Sequence, residues 1–109
     1  MEEKLLKIIN HYGVNHQQRK LQEEVFEFQE AIVKYEFAKE DNELQDDLDE
    51  PRKWNLYHFN KYILEEIADV LVMVNQFRLY YGITDEDINA VMLKKADRQL
   101  GRIENENNN

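Results

Sequence analysis

The chain has 109 residues, with 23 Asp and Glu against 14 Lys and Arg and a formal net charge of −9. That length makes one domain with one modest core, and the acidic field repels nucleic acid and anionic membrane surfaces. There is no cysteine, which excludes disulfides, thiolate metal sites and thiol nucleophiles. With Gly and Pro scarce and Ala, Leu, Glu, Lys and Gln plentiful, the composition predicts an all-α fold. Met1 to Lys7 is too charged for a signal peptide, and Glu65, Glu66 and Asp69 interrupt the best apolar run, so a soluble cytoplasmic protein is expected.

Glu3 to His11 carries Leu5, Leu6, Ile8 and Ile9, a short amphipathic helix that Gly13 ends. Asn15 is the expected N-cap of a long helix from His16 to about Lys39. Leu21, Val25, Phe28, Ile32 and Tyr35 recur along it at alternating spacings of three and four, which predicts its core stripe. Phe26, Val33 and Phe37 form a second apolar surface, suited to another helix or another subunit. Residues 40–56 read as an acidic excursion holding the only proline, Pro51, within a single domain of residues 1–103. Trp54, Leu56, Tyr57 and Phe59 then return the chain to the core, in the central helix or a short one of their own.

Lys61 to Phe77 is the central helix. It is apolar nearly all round from Ile67 to Val74, which predicts burial on every face. Tyr80, Tyr81 and Gly82 close it, and Thr84 with Asp87 makes a weak capping box for the last helix. Ile88, Val91, Met92 and Leu93 are that helix's apolar side, and residues 104–109 read as a disordered polar tail. The sum is a bundle of about four to five helices, and apolar surface on two long helices favours an oligomer.

Asp69 is expensive inside the central helix unless a positive charge meets it, and Glu66 lies one turn away. Glu24 and Glu27 repeat that spacing on the earlier helix. Ala31 leaves their face uncrowded. If the two helices pack antiparallel, four carboxylates converge, a hard oxygen set that suits Mg²⁺ or Mn²⁺. Such ions clamp a triphosphate and activate a bound water. Glu23, Glu30 and Glu65 flank the four as possible further ligands or bases. Lys94, Lys95, Arg98 and Arg102 offer phosphate contacts, although cations near a helix C-terminus equally complement its dipole. Paired Glu residues are common on solvated faces, and an Arg from another subunit would also neutralise Glu66 and Asp69. His11, His16 and His58 are scattered and read as ordinary surface residues, and Trp54 as core.

Four segments together resemble the MazG-like nucleotide pyrophosphohydrolases of the all-α NTP pyrophosphatase superfamily. They are YGVNHQQRKLQEEVFEFQEAI (Tyr12 to Ile32), EEIADVLVMVNQF (Glu65 to Phe77), YGITDEDINAVMLKK (Tyr81 to Lys95) and RQLGRI (Arg98 to Ile103). The family's ExxE and ExxD motifs match Glu24/Glu27 and Glu66/Asp69. The resemblance implies hydrolysis of a nucleoside triphosphate to the monophosphate and pyrophosphate, with Mg²⁺ held by those four residues. It also implies a homodimer or homotetramer, with sites often completed across subunits. Lys94 or Lys95, with Arg98 and Arg102, would contact phosphate. Two departures stand out. Asp97-Arg98 replaces an Asn-containing pattern, and the gap between Glu27 and Glu66 is longer than in compact relatives. The alternatives are a phosphoribosyl-ATP pyrophosphohydrolase and a non-catalytic helical interaction module.

Overall fold

Two glycines set the corners of the chain. Gly13 has φ +89° and Gly82 φ +70°, backbone conformations in which a Cβ is strained. A computed structural model describes the backbone of residues 1–43 and 50–108 and the side chains of residues 1–40 and 60–108. Within these the protein is all α. Its four helices are α1 (Glu2–Tyr12), α2 (Val14–Glu43), α3 (Glu50–Tyr80) and α4 (Asp85–Asn107). No described helix is long and apolar enough to cross a membrane.

Gly13 ends α1 by donating its N–H to Ile9 O at 2.8 Å, and its own carbonyl accepts from Gln17 N at 3.0 Å. One residue therefore closes α1 and opens α2. Asn15 lies inside α2, so it is not the N-cap that the sequence suggests. At the other corner Ile83 N bonds to Arg78 O at 2.9 Å and Gly82 N to Leu79 O at 3.1 Å. That pair is the Schellman closure for which a left-handed glycine is the usual residue. Thr84 Oγ1 then accepts from Asp87 N at 3.1 Å and caps α4.

The ends of the expected acidic excursion are helical. α2 runs on through Glu43 and α3 begins at Glu50, with Pro51 in its first turn, where a missing N–H costs nothing. Residues 40–43 and 50–56 of that stretch are helical, and Glu and Lys are good helix formers. Residues 44–49 lie outside the described ones, as do the side chains of Trp54, Leu56, Tyr57, His58 and Phe59. The backbone of those aromatics belongs to α3 and not to a separate helix. α4 continues through Asn107, so most of the expected polar tail is helix.

α2 and α3 pack antiparallel, since Gln17 bonds to Gln76 at one end of the seam and Glu24 meets Glu66 and Asp69 further along. α1 lies mainly on α3 and buries Leu5 and Ile9. The buried line of α2 is Gln17, Glu24 and Ala31, each seven residues from the next. The apolar stripe Leu21, Val25, Phe28 and Tyr35 sits beside this line half-buried, and Ile32 is exposed. The predicted core stripe is thus the flank of the seam, and a polar line is its centre.

Burial of α3 on every face does not hold within one chain. Met73 is buried, but Ile67, Leu71, Val72 and Val74 are 38–52% exposed. The cause is α4, which among the described residues packs against no other helix and buries no residue. Its link to the rest is Arg78, a largely buried guanidinium. Arg78 donates to Ile83 O at 2.7 Å and Asn75 Oδ1 at 3.2 Å, and pairs with Asp85 at 3.0 Å and Glu2 at 3.5 Å. α4 therefore leaves the bundle in a fixed direction with its apolar residues in the open. The radius of gyration is 18.7 Å, against ~13 Å for a compact domain of this length.

Candidate metal centre

The antiparallel seam decides which acidic residues meet. Glu24 faces α3 because it lies on the buried line between Gln17 and Ala31. Ala31 is fully buried and adds almost no bulk one turn beyond the Glu27 position. Glu66 faces α2 because Met73, two turns on, is the apolar anchor of the same side of α3. Asp69 follows one turn after Glu66, at the open edge.

Glu24, Glu66 and Asp69 each offer a carboxylate oxygen, and these oxygens lie within 4.8 Å of one another. Glu24 and Glu66 are 8% and 6% exposed, and Asp69 is open to solvent. Glu24 Oε2 and Glu66 Oε2 are enclosed and find no hydrogen-bond partner among the described residues. Buried carboxylate oxygens normally accept hydrogen bonds, and leaving two beside each other unpaired costs several kcal/mol by order of magnitude. A hard divalent cation satisfies both at once, so the donor set fits Mg²⁺ or Mn²⁺. The fit is one of chemistry and spacing, and it does not select one metal.

Glu27 stands just outside this group. It is exposed, and the charge of Glu24, followed by its own desolvation and the charge of Glu66, pushes its carboxyl above the usual range. Three of the four predicted ligands thus converge closely, and the fourth borders them. Tyr62, one turn before Glu66, was not anticipated. The charge of Glu66, with some desolvation, pushes its phenol up. The i,i+4 spacing to Glu66 was the available signal.

Lys20 was also missed. Its Nζ lies 3.3 Å from Glu24 Oε1 and 3.6 Å from Glu23 Oε2. The pairing with Glu24 first, and Glu23 after it, raises the Lys20 pKa. The flanking carboxylates stay outside the centre. Glu23 is exposed and paired with Lys20, Glu30 is paired with Lys34 at 3.0 Å, and Glu65 is exposed. Lys94, Lys95, Arg98 and Arg102 are all exposed on α4. Because α4 packs against no other described helix, a single chain does not bring them to the carboxylates.

Away from the acidic seam, Gln17 Nε2 donates to Gln76 Oε1 at 2.8 Å, with both side chains nearly inaccessible. Gln17 Oε1 lies 2.7 Å from His16 Nδ1, and Gln76 Nε2 meets Met73 Sδ at 3.6 Å. This pair fixes the register that sets Glu24 opposite Glu66.

Fold and site together define a class: an all-α chain with a buried carboxylate cluster in a helix–helix seam. No protein-family model, no curated protein and no solved structure matches the chain.

Proposed function

We propose that the protein is a Mg²⁺-dependent nucleoside triphosphate pyrophosphohydrolase. The observation that carries this reading is the pair of enclosed, unpartnered oxygens on Glu24 and Glu66, with Asp69 beside them. One divalent cation would satisfy both oxygens at once. The family resemblance of the ExxE and ExxD segments points the same way, and so does the net charge of −9, because an acidic protein needs a metal to bridge it to a polyanionic substrate.

Glu24, Glu66 and Asp69 would hold the metal. When bound, a divalent ion there polarises phosphoryl oxygens and lowers the pKa of water. Glu27, exposed beside the cluster, would orient a water and accept its proton. Attack on the α-phosphorus breaks the α–β anhydride bond and yields the monophosphate and pyrophosphate.

The working form in this reading is a homodimer or homotetramer. The accessible surface of one chain is 9065 Å², against ~6400 Å² for a compact monomer of this size. An excess of this order is what an obligate interface removes. Leu71 and Val74 on α3, with Ile88 and Met92 on α4, line an open apolar groove of about 490 Å³ that suits such an interface. Assembly is also the available route by which the α4 cations reach a carboxylate cluster. The cytoplasm, where nucleotides are held, is the compartment that this reading expects.

The test is pyrophosphate release from a panel of ribo- and deoxynucleoside triphosphates and phosphoribosyl-ATP, with and without Mg²⁺. Metal-dependent release, lost by more than about a hundredfold in Glu66→Gln, supports the proposal. A folded protein that releases none in Mg²⁺ contradicts it and leaves an acidic helical interaction module.

A further inference from the structure

We propose that Lys20 is the internal counter-ion of Glu24, that the metal displaces it, and that the freed ammonium then receives the nucleotide's terminal phosphates. The inference rests on the metal-binding reading above and adds a residue to it. Glu24 divides its two oxygens. Oε1 meets Lys20 Nζ at 3.3 Å, while Oε2 is enclosed and unpartnered among the described residues. The pair straddles the surface: the Glu24 side chain is 11% exposed and that of Lys20 47%. A half-exposed lysine on a four-carbon stem changes rotamer at little cost, so its ammonium can leave without unfolding the helix.

Electrostatics give the direction of the change. With no cation bound, one positive charge from Lys20 offsets part of the repulsion among Glu24, Glu66 and Asp69. A divalent ion held by these three carboxylates would supply twice that charge, and a Lys20 still at 3.3 Å from Glu24 would face it as a like charge. The lysine must then move outward. Its way out is an open cavity of about 260 Å³ that it lines with His16, Arg19 and Glu23. Arg19 already leans along α2, its Nε donating to Asn15 O at 3.3 Å. A polyphosphate held by a metal at the seam would find Lys20 at the edge of the cluster, on the helix that carries Glu24. The α4 cations have no such contact within one chain.

The experiment is calorimetric titration of the full chain with Mg²⁺, without nucleotide, for the wild type, Lys20→Gln and Lys20→Arg. Inorganic pyrophosphate is then titrated into each protein at saturating Mg²⁺. Lys20→Gln should bind Mg²⁺ about fivefold tighter, the factor that ~1 kcal/mol of a lost ion pair represents. It should bind pyrophosphate about fivefold more weakly. Lys20→Arg should stay near the wild type in both. Unchanged or weaker Mg²⁺ binding by Lys20→Gln overturns the counter-ion role, and unchanged pyrophosphate binding overturns the phosphate role. No Mg²⁺ uptake by the wild type overturns the metal reading itself and this proposal with it.

Discussion

The α2–α3 seam and α4 invert the usual arrangement of a helical protein. The seam is enclosed yet centred on Gln17, Glu24, Glu66 and Gln76, while α4 carries Val91, Met92, Leu93, Leu100 and Ile103 at 47–64% exposure. Polar groups inside raise the free energy of the fold unless something satisfies them, and apolar groups outside do so unless something covers them. On the proposed reading, the seam takes a cation and the α4 face takes a second copy of the chain. The Gln17–Gln76 pair and Ala31 hold the seam in register, and the Arg78 clamp aims α4 away from it.

The sharpest way to break this comparison is to charge the apolar faces. Leu71→Glu on α3 and Leu93→Glu on α4 alter side chains that are 52% and 64% exposed in one chain. If both faces are covered in the assembly, each change should cost about 3–5 kcal/mol of association and shift the mass in light scattering toward the monomer. If the chain works alone, both should fall within about 0.5 kcal/mol of the wild type, as ordinary surface changes do. The seam responds to the opposite treatment. Gln76→Leu alone strands the Gln17 amide and should cost about 1–3 kcal/mol in a denaturant melt. Adding Gln17→Leu should recover much of that loss, because two apolar groups leave nothing unpaired. No recovery would mean that the pair's geometry, and not its hydrogen bond, holds the register.

The smallest effect is in pH. The Glu27 carboxyl is raised in the folded state, first by Glu24. A raised carboxyl means that the folded chain binds its proton more readily than the unfolded one, so metal-free stability should fall as pH rises through the folded pKa. Below the unfolded value the contribution is fully present. Glu27→Gln should flatten the slope in EDTA, and an unchanged slope would place its cause elsewhere.

Much of the fold was legible from α1 to the start of α4, because Gly13, Gly82 and Thr84 are local signals that act within a few residues of themselves. Glu24, Glu66 and Asp69 were legible as a group because their spacing and neighbours carry the information. The phase of α2 was not. Leu21 to Tyr35 is the more apolar stripe, and only the facing helix reveals that the line through Gln17, Glu24 and Ala31 is the one enclosed. Lys20 lies four residues before Glu24, at the spacing of a helical ion pair, but the burial that makes a counter-charge necessary is visible in the sequence only around Asp69, on the other helix. The detachment of α4 could not be read at all. Periodicity says that a helix has an apolar side and is silent on which chain covers it.

The most direct test of the central claim is Mn²⁺ titration of the wild type and Glu66→Gln, followed by electron paramagnetic resonance and by thermal melting. The account predicts saturable uptake by the wild type that raises its melting temperature, and uptake lost in a Glu66→Gln protein that keeps its helical content. Equal uptake by the two, or none by the wild type, would contradict the claim that Glu24, Glu66 and Asp69 form a metal centre.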